Sequence, residues 1–141
     1  MEELIQELET GGYSCIVRKG TVVRRCVRQG IIDLYTLLRK EPSLLAGADV
    51  ADKVVGKGAA ALLIVGGVRR LYAGVVSRAA LDLLAQTEME VRYGRLVERI
   101  INRTGDGPCP VEEACQGAVT AEACLPRITE FVQSHFPDLN I

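Results

Sequence analysis

The stretch LYAGVVSRAALDLLAQ, residues 71–86, decides the fold class. Residues 71–76 form a short and almost continuous apolar run, which is typical of a central strand buried on both faces. Ser77 follows at once and can cap a helix, and the apolar spacing of residues 78–86 favours that helix. A buried strand that runs directly into a helix indicates an α/β protein.

The segments after this unit alternate in the same way. A brief strand is predicted around residues 89–93, followed by a helix through residues 96–101. The segment NRTGDGPCP, residues 102–110, is a loop by its Gly, Pro, Asn and Asp content. Two short helices are then expected to finish the chain, with Pro126 breaking or kinking the second one.

The segments before this unit begin with a short helix at residues 1–9. YSCIVR and TVVRRCVRQ then flank Lys19-Gly20, a two-residue connection that predicts a β-hairpin because glycine supplies the positive φ. Residues 31–39 have helical apolar spacing, and this helix should end before Pro42.

The segment after Gly47 is predicted to be a helix from Val50 to about Val65. Asp49 would cap it, Asp52 would occupy its N3 position, and the glycine pair at residues 66–67 would stop it. At about 100° per residue, Lys53 and Lys57 would then share one face with small and apolar side chains.

Composition favours one soluble domain of residues 1–141. The chain is 48% hydrophobic and 25% charged with a net charge of −1, which gives no reason to expect a nucleic-acid partner. The N-terminal MEELIQELETGG has neither a basic leader nor a long apolar core, and no apolar run is long enough for a bilayer. We therefore expect a cytoplasmic protein with no membrane partner.

Cysteine and histidine usage argues against disulfides and structural metal sites. The five cysteines are an odd number, none of them forms a CxxC motif, and His135 is the single histidine. We expect free thiols, no metal and no cofactor. Nothing local positions His135 as a base, so it is expected on the surface.

Lys57 and Ser77 each have a structural and a functional interpretation. The Lys57 side chain can extend to solvent, or it can be a partly buried amine that binds an anion or acts as a base. Ser77 can be a plain helix cap, or it can join free N–H groups that bind an anionic or carbonyl oxygen. Crevices beyond the carboxyl ends of strands are common ligand sites in open α/β sheets, which supports the functional interpretation.

Cys109-Pro110-Val111-Glu112 forms a third candidate group. Pro110 suits the first helical position, which leaves Cys109 as the cap and Glu112 at N3. A thiol at a helix N-terminus becomes a better nucleophile. The alternative is an unreactive small side chain, and the sequence leaves both open.

Three segments resemble an uncharacterised prokaryotic family with a cytidine-deaminase-like fold: DKVVGKGAAALL (52–63), YAGVVSRAAL (72–81) and CPVE (109–112). The order of the predicted elements favours a three-layer α/β or α/β/α arrangement on one mixed sheet that starts from a β-hairpin. The resemblance covers about residues 14–117 and implies a cytidine-deaminase-like α/β/α core there, followed by a short helical C-terminal extension. In zinc deaminases the corresponding helices carry His or Cys followed by x-Glu, and Pro-Cys-x-x-Cys. Here they begin GKGAAA at residue 56 and SRAA at residue 77, so the zinc ligands and the proton-shuttling glutamate are missing.

Two functional hypotheses remain. The first is a metal-independent enzyme that acts on a small anionic or nucleotide-like metabolite. Cys109 would be its nucleophile, and Glu112 or Asp52 its acid or base. Lys57 and Lys53 would bind or activate the substrate, and Ser77 would anchor it. The second is a non-catalytic domain that binds or senses a metabolite in the same pocket. Both require a small-molecule ligand, and a homodimer is left open.

Overall fold

The computed structural model describes residues 1–28, 30–102 and 105–139. Within these residues the strands are β1 Cys15–Lys19, β2 Val22–Cys26, β3 Asp49–Val55, β4 Arg70–Ser77 and β5 Glu90–Val97. The helices are α1 Glu2–Gly11, α2 Ile32–Lys40, α3 Pro42–Leu45, α4 Lys57–Gly66, α5 Arg78–Leu84, α6 Pro110–Ala114 and α7 Ala121–His135. None of the helices in these residues has the length and hydrophobicity needed to cross a membrane.

The strands form one mixed sheet in the order β2-β1-β3-β4-β5. β1 is antiparallel to both β2 and β3, whereas β3, β4 and β5 are parallel to one another. Helix α1 covers one face, where Leu4 and Leu8 pack on Ile16 and Ala51. The main core lies on the other face, beneath α2 to α7. The predicted α/β class with three layers on a mixed sheet is confirmed.

The predicted hairpin is confirmed, with its connection shifted by one residue. Lys19 is still part of β1 and pairs with Val22, so the two connecting residues are Gly20 and Thr21. Gly20 has φ of +60°, a left-handed conformation that glycine adopts without steric cost. The turn therefore follows from a local property of the sequence.

The prediction of a helix from Val50 is wrong, because Asp49–Val55 is strand β3. Three of its residues, Val50, Val54 and Val55, are β-branched and favour a strand. β3 also pairs with a strand on each side, and this pairing outweighs the helical apolar spacing. Asp49 and Asp52 are strand residues rather than a helix cap and an N3 residue. The helix begins only at Lys57 and ends at the predicted glycine pair.

Strand β5 is longer than predicted. Residues 96 and 97 continue the strand instead of starting a helix, since every residue from Glu90 to Val97 lies along the eight-residue strand β4. Two glycines permit this close packing. A Cβ atom on Gly94 would lie 2.9 Å from the Gly74 carbonyl oxygen, and one on Gly74 would lie 2.7 Å from that of Lys53.

The C-terminal helices differ in length from the prediction. Helix α6 has 5 residues, whereas α7 has 15 and continues through Pro126. Pro126 cannot donate to the carbonyl of Glu122 one turn earlier, but both residues are exposed and water can satisfy that carbonyl. Of the predicted break or kink at Pro126, the break does not occur. Within the predicted loop, residues 103–104 lie outside the described residues.

Candidate functional site

The starts of three helices meet at one edge of the sheet. Because β3 and β4 are parallel, they end at the same edge of the sheet, at Val55 and Ser77. The first turns of α4 and α5 follow there. Helix α6 begins beside them at Pro110. We call Lys57, Ser77, Cys109 and Glu112 the helix-start site.

The Glu112 carboxylate is the centre of this site. Its Oε2 accepts hydrogen bonds from the Lys57 backbone N–H at 2.8 Å and from the Ser77 hydroxyl. Its Oε1 accepts one from the Ile100 backbone N–H at 2.8 Å. The carboxylate thus connects the starts of α4 and α5 to the chain after β5, and its charge is favourable at the N-terminus of α4.

Ser77 is the helix cap that the sequence predicts. Its Oγ accepts a hydrogen bond from the Ala80 N–H at 3.1 Å while its hydroxyl donates to Glu112. The residue is completely buried. Both hydrogen-bonding functions of the hydroxyl are therefore used within the protein.

The close approach of α4 and α6 depends on two glycines. A Cβ atom on Gly56 would lie 3.1 Å from Glu112 Oε2, and one on Gly58 would lie 2.3 Å from Val111 Cγ1. A Cβ atom at position 58 would force Val111 to move, and one at position 56 would press on the carboxylate. The glycines of the GKG segment are therefore packing residues of the site.

Lys57 is the first residue of α4 and is half-buried. Burial raises the pKa of the Cys115 thiol to about 12, and the positive charge of Lys57 acts in the opposite direction. Lys53 lies on β3 and is exposed, so the shared helix face predicted for the two lysines does not exist.

Cys109 caps α6 as predicted, with Pro110 at N1 and Glu112 at N3. Its thiol makes no capping hydrogen bond, whereas its backbone N–H donates to the Ile100 carbonyl at 2.9 Å. All five cysteines are free, and Cys109 alone is half-buried while the other four are buried.

Alkylation should therefore single out Cys109. We expect a neutral reagent such as iodoacetamide to label Cys109 at least about tenfold faster than the others near neutral pH, because reaction requires access to the sulfur. Mass-mapped labelling of the native chain measures this. Labelling of Cys109 at the rate of the buried thiols would remove it as a reactive group, and labelling in denaturant is the control.

Asp52 and His135 lie apart from the hydrogen bonds of the helix-start site. Asp52 lies on β3 and is 8% exposed. Burial raises its pKa to about 7, although hydrogen bonds from the backbone N–H groups of Val54 and Lys53 lower it. His135 is exposed, as predicted, and its ring stacks on that of Phe131. Among the residues described, no group of three or more His, Cys, Asp or Glu could hold a metal ion.

A cluster of ion pairs around the buried carboxylate of Asp49 was missed by the sequence prediction. Arg70 donates to its two carboxylate oxygens at 2.8 and 2.5 Å, and Arg18 donates to one of them at 3.3 Å. The hydrogen bond from Arg70 is the main reason that the pKa of Asp49 falls to about 2. The arginine pair at residues 69–70, where the central strand begins, was the only available signal.

Replacement of Asp49 by Asn should lower stability by about 1–2 kcal/mol at neutral pH, because paired arginines lose their charged partner. Since the folded pKa is below the unfolded value of 3.8, this contribution is present above pH 3.8 and is lost as the pH falls towards about 2. Urea unfolding of both proteins measures the difference. A difference that does not shrink in acid would contradict the assignment, and Asp82→Asn at an exposed position is the control.

Two shallow cavities lie away from the helix-start site. One of about 400 Å³ lies between α2 and α7, where Arg39 and Thr129 are in its lining. The other, of about 330 Å³, is formed by residues 135–139. Neither is lined by a residue of the predicted site.

Comparison with known proteins identifies the family. The family model described as "Domain of unknown function (DUF1893)" matches residues 3–132. Among solved structures, a DUF1893 family protein from Thermotoga maritima has a similar fold, with a TM-score of 0.82 and 21% sequence identity over 93% of this chain and 91% of that chain. No curated protein matches the sequence. The chain therefore belongs to the DUF1893 family of uncharacterised domains.

Proposed function

We propose that the protein binds a small anionic or nucleotide-like metabolite at the helix-start site and acts there as a binding domain rather than an enzyme. The observation that carries the proposal is the hydrogen bonding of the Glu112 carboxylate. Three donors from three separate segments converge on it at the carboxyl ends of parallel strands. These hydrogen bonds hold the starts of α4 and α5 together, and the positive side chain of Lys57 lies at the same edge of the sheet.

The surroundings of Glu112 favour an anionic ligand. Lys57 supplies a positive side chain at the N-terminus of α4, where the helix dipole also attracts negative charge. Ligands of open α/β sheets commonly bind beyond the carboxyl ends of the strands. A phosphate or carboxylate group would therefore bind through the Lys57 ammonium, beside the fixed Glu112.

The same hydrogen bonds count against a catalytic role for Glu112 and Ser77. A general acid or base must exchange a proton with substrate, but both Glu112 oxygens already accept hydrogen bonds within the protein. Ser77 is completely buried and uses its hydroxyl in the same network. We therefore place binding ahead of catalysis.

One observation favours the metal-independent enzyme as a second candidate. Cys109 is half-buried at the start of α6, three residues before Glu112, which suits a nucleophile at the edge of the site. This enzyme would attack a small anionic or nucleotide-like substrate through the thiol, without zinc. The relation to cytidine deaminases, the absence of a metal requirement and the ligand roles of Asp52 and Lys53 stay predictions.

Isothermal titration with adenosine monophosphate and with inorganic phosphate tests the proposal. We expect Lys57→Ala to weaken binding of either probe by about tenfold, as loss of one charged contact would do. Lys40→Ala at the exposed end of α2 is the matched control and should bind as the original chain does. Equal affinity of the Lys57 variant, or no binding of either probe, would contradict the proposed site.

A Cys109→Ser variant separates the two candidates. If the site only binds, this variant keeps its affinity for adenosine monophosphate. The original chain then leaves the bound nucleotide unchanged over a long incubation, which chromatography of the nucleotide measures. Conversion of the nucleotide by the original chain, abolished in the variant, would replace the binding proposal with the enzyme.

A further inference from the structure

Two cysteines and a carboxyl group form a row across the first three strands of the sheet. Cys26 on β2 is the direct partner of Cys15 on β1, and Cys15 is on its other side the partner of Asp52 on β3. Their exposed fractions are 6%, 4% and 8%, so all three are buried. We infer that Cys15 and Cys26 are a redox-active dithiol that closes to a reversible disulfide when it reacts with a hydroperoxide.

The strand register brings the two cysteines into disulfide range. Directly opposed residues of an antiparallel pair have Cα atoms about 4.5 or 5.5 Å apart. Disulfides form at Cα separations of about 4.4–6.8 Å. The hairpin therefore presents the two residues at the required separation without a change of register.

The two thiols differ in acidity. Hydrogen bonding with the Cys26 thiol, together with burial, raises the pKa of Cys15 well above its usual range. The same hydrogen bonding lowers the pKa of Cys26. Since the thiolate is the nucleophile, Cys26 is the residue that attacks first and Cys15 is the one that resolves the product.

Cys26 is the more peripheral of the two cysteines in the sheet. β2 is the edge strand of the sheet in the part of the chain that the structure describes, and Cys26 is its last residue. Cys15 lies one strand further in. Oxidation is therefore expected to enter the pair through Cys26.

The reaction balances with a hydroperoxide as the oxidant. The Cys26 thiolate attacks the terminal peroxide oxygen, the O–O bond breaks, and the leaving oxygen takes up a proton to give water or an alcohol. The Cys15 sulfur then attacks the sulfur of the Cys26 sulfenic acid. The S–O bond breaks and the hydroxide leaves as water with the Cys15 proton, so two thiols lose two electrons and the hydroperoxide gains them.

A second pair of thiols in the fold provides an internal comparison. Cys115 and Cys124 are both 0% exposed, and the nearby Cys124 thiol is one of the groups that raise the pKa of Cys115. Burial is the main cause that raises the pKa of Cys115 to about 12, so little thiolate is available there. We expect this pair to stay reduced under conditions that oxidise Cys15 and Cys26.

Peptide mapping of the native full-length chain after hydrogen peroxide treatment tests the inference. Remaining thiols are alkylated, and trypsin then cuts at Arg18, Lys19, Arg24 and Arg25 between the two cysteines, so only a disulfide can hold their peptides together. The expected result is this linked peptide with loss of two of the five thiols, reversed by dithiothreitol. A Cys15→Ser variant should instead accumulate Cys26 sulfenic acid that dimedone captures.

Two results would overturn the inference. One is oxidation of Cys109 while the Cys15 and Cys26 peptides stay separate and reduced. The other is closure of Cys115 with Cys124 before any linkage of Cys15 with Cys26. Circular dichroism of each treated sample checks that the chain stayed folded during oxidation. Either result counts only in a sample that is folded.

Discussion

Replacement of Glu112 by alanine is expected to lower the free energy of unfolding by about 3 kcal/mol. The change leaves the N–H groups of Lys57 and Ile100 and the hydroxyl of Ser77 without their acceptor. Ser77 is buried and the other two donors are half-buried, and each such donor that loses its partner costs about 1 kcal/mol. Urea unfolding followed by circular dichroism measures the loss.

The neighbouring residue provides the control for this change. Glu113 lies on the same short helix and is exposed, so Glu113→Ala should change stability by no more than about 0.5 kcal/mol. A Glu112 variant as stable as the Glu113 variant would show that the carboxylate does not hold the helix starts together. Glu112 would then also become a candidate acid or base.

Replacement of Asp52 by asparagine is expected to stabilise the protein, by up to about 4 kcal/mol near pH 8. Burial raises the pKa of Asp52 from 3.8 to about 7, so the folded chain keeps a proton that the unfolded chain releases. Asparagine remains neutral and can still accept the hydrogen bond from the Val54 N–H, which is 3.4 Å long.

The sign of the pH dependence follows from the raised pKa. The contribution of Asp52 to stability is fully present below pH 3.8 and is lost as the pH rises to about 7. The original chain should thus lose stability between pH 5 and 7 relative to Asp52→Asn. Unfolding curves across this range measure the difference, and the exposed Asp82→Asn variant should follow the original chain. Parallel curves for the original chain and Asp52→Asn would contradict the assignment.

The local features of the fold could be predicted from the sequence because their causes are local. The hairpin follows from a glycine with positive φ, and the Ser77 cap follows from a serine between an apolar run and a helical pattern. Helix α4 ends at the glycine pair of residues 66 and 67 for the same reason. Each of these signals acts within a few residues.

The remaining features depend on contacts between distant segments. The residues from Asp49 to Ala51 are as compatible with the start of a helix as with a strand. Pairing with β1 and β4 makes this segment a strand. Glu112 meets Lys57 across 55 residues of sequence, which no local pattern encodes. The row of Cys26, Cys15 and Asp52 likewise exists only through strand register.

The most direct test of the proposed binding site is a titration of the ¹⁵N-labelled chain with adenosine monophosphate, followed by amide chemical shifts. Binding at the helix-start site predicts that the largest shifts fall on Lys57, Ala80 and Ile100, whose N–H groups belong to the network around Glu112 and Ser77. Shifts confined to residues such as Thr129 and Gln133, which line the cavity between α2 and α7, would place the ligand elsewhere and contradict the account.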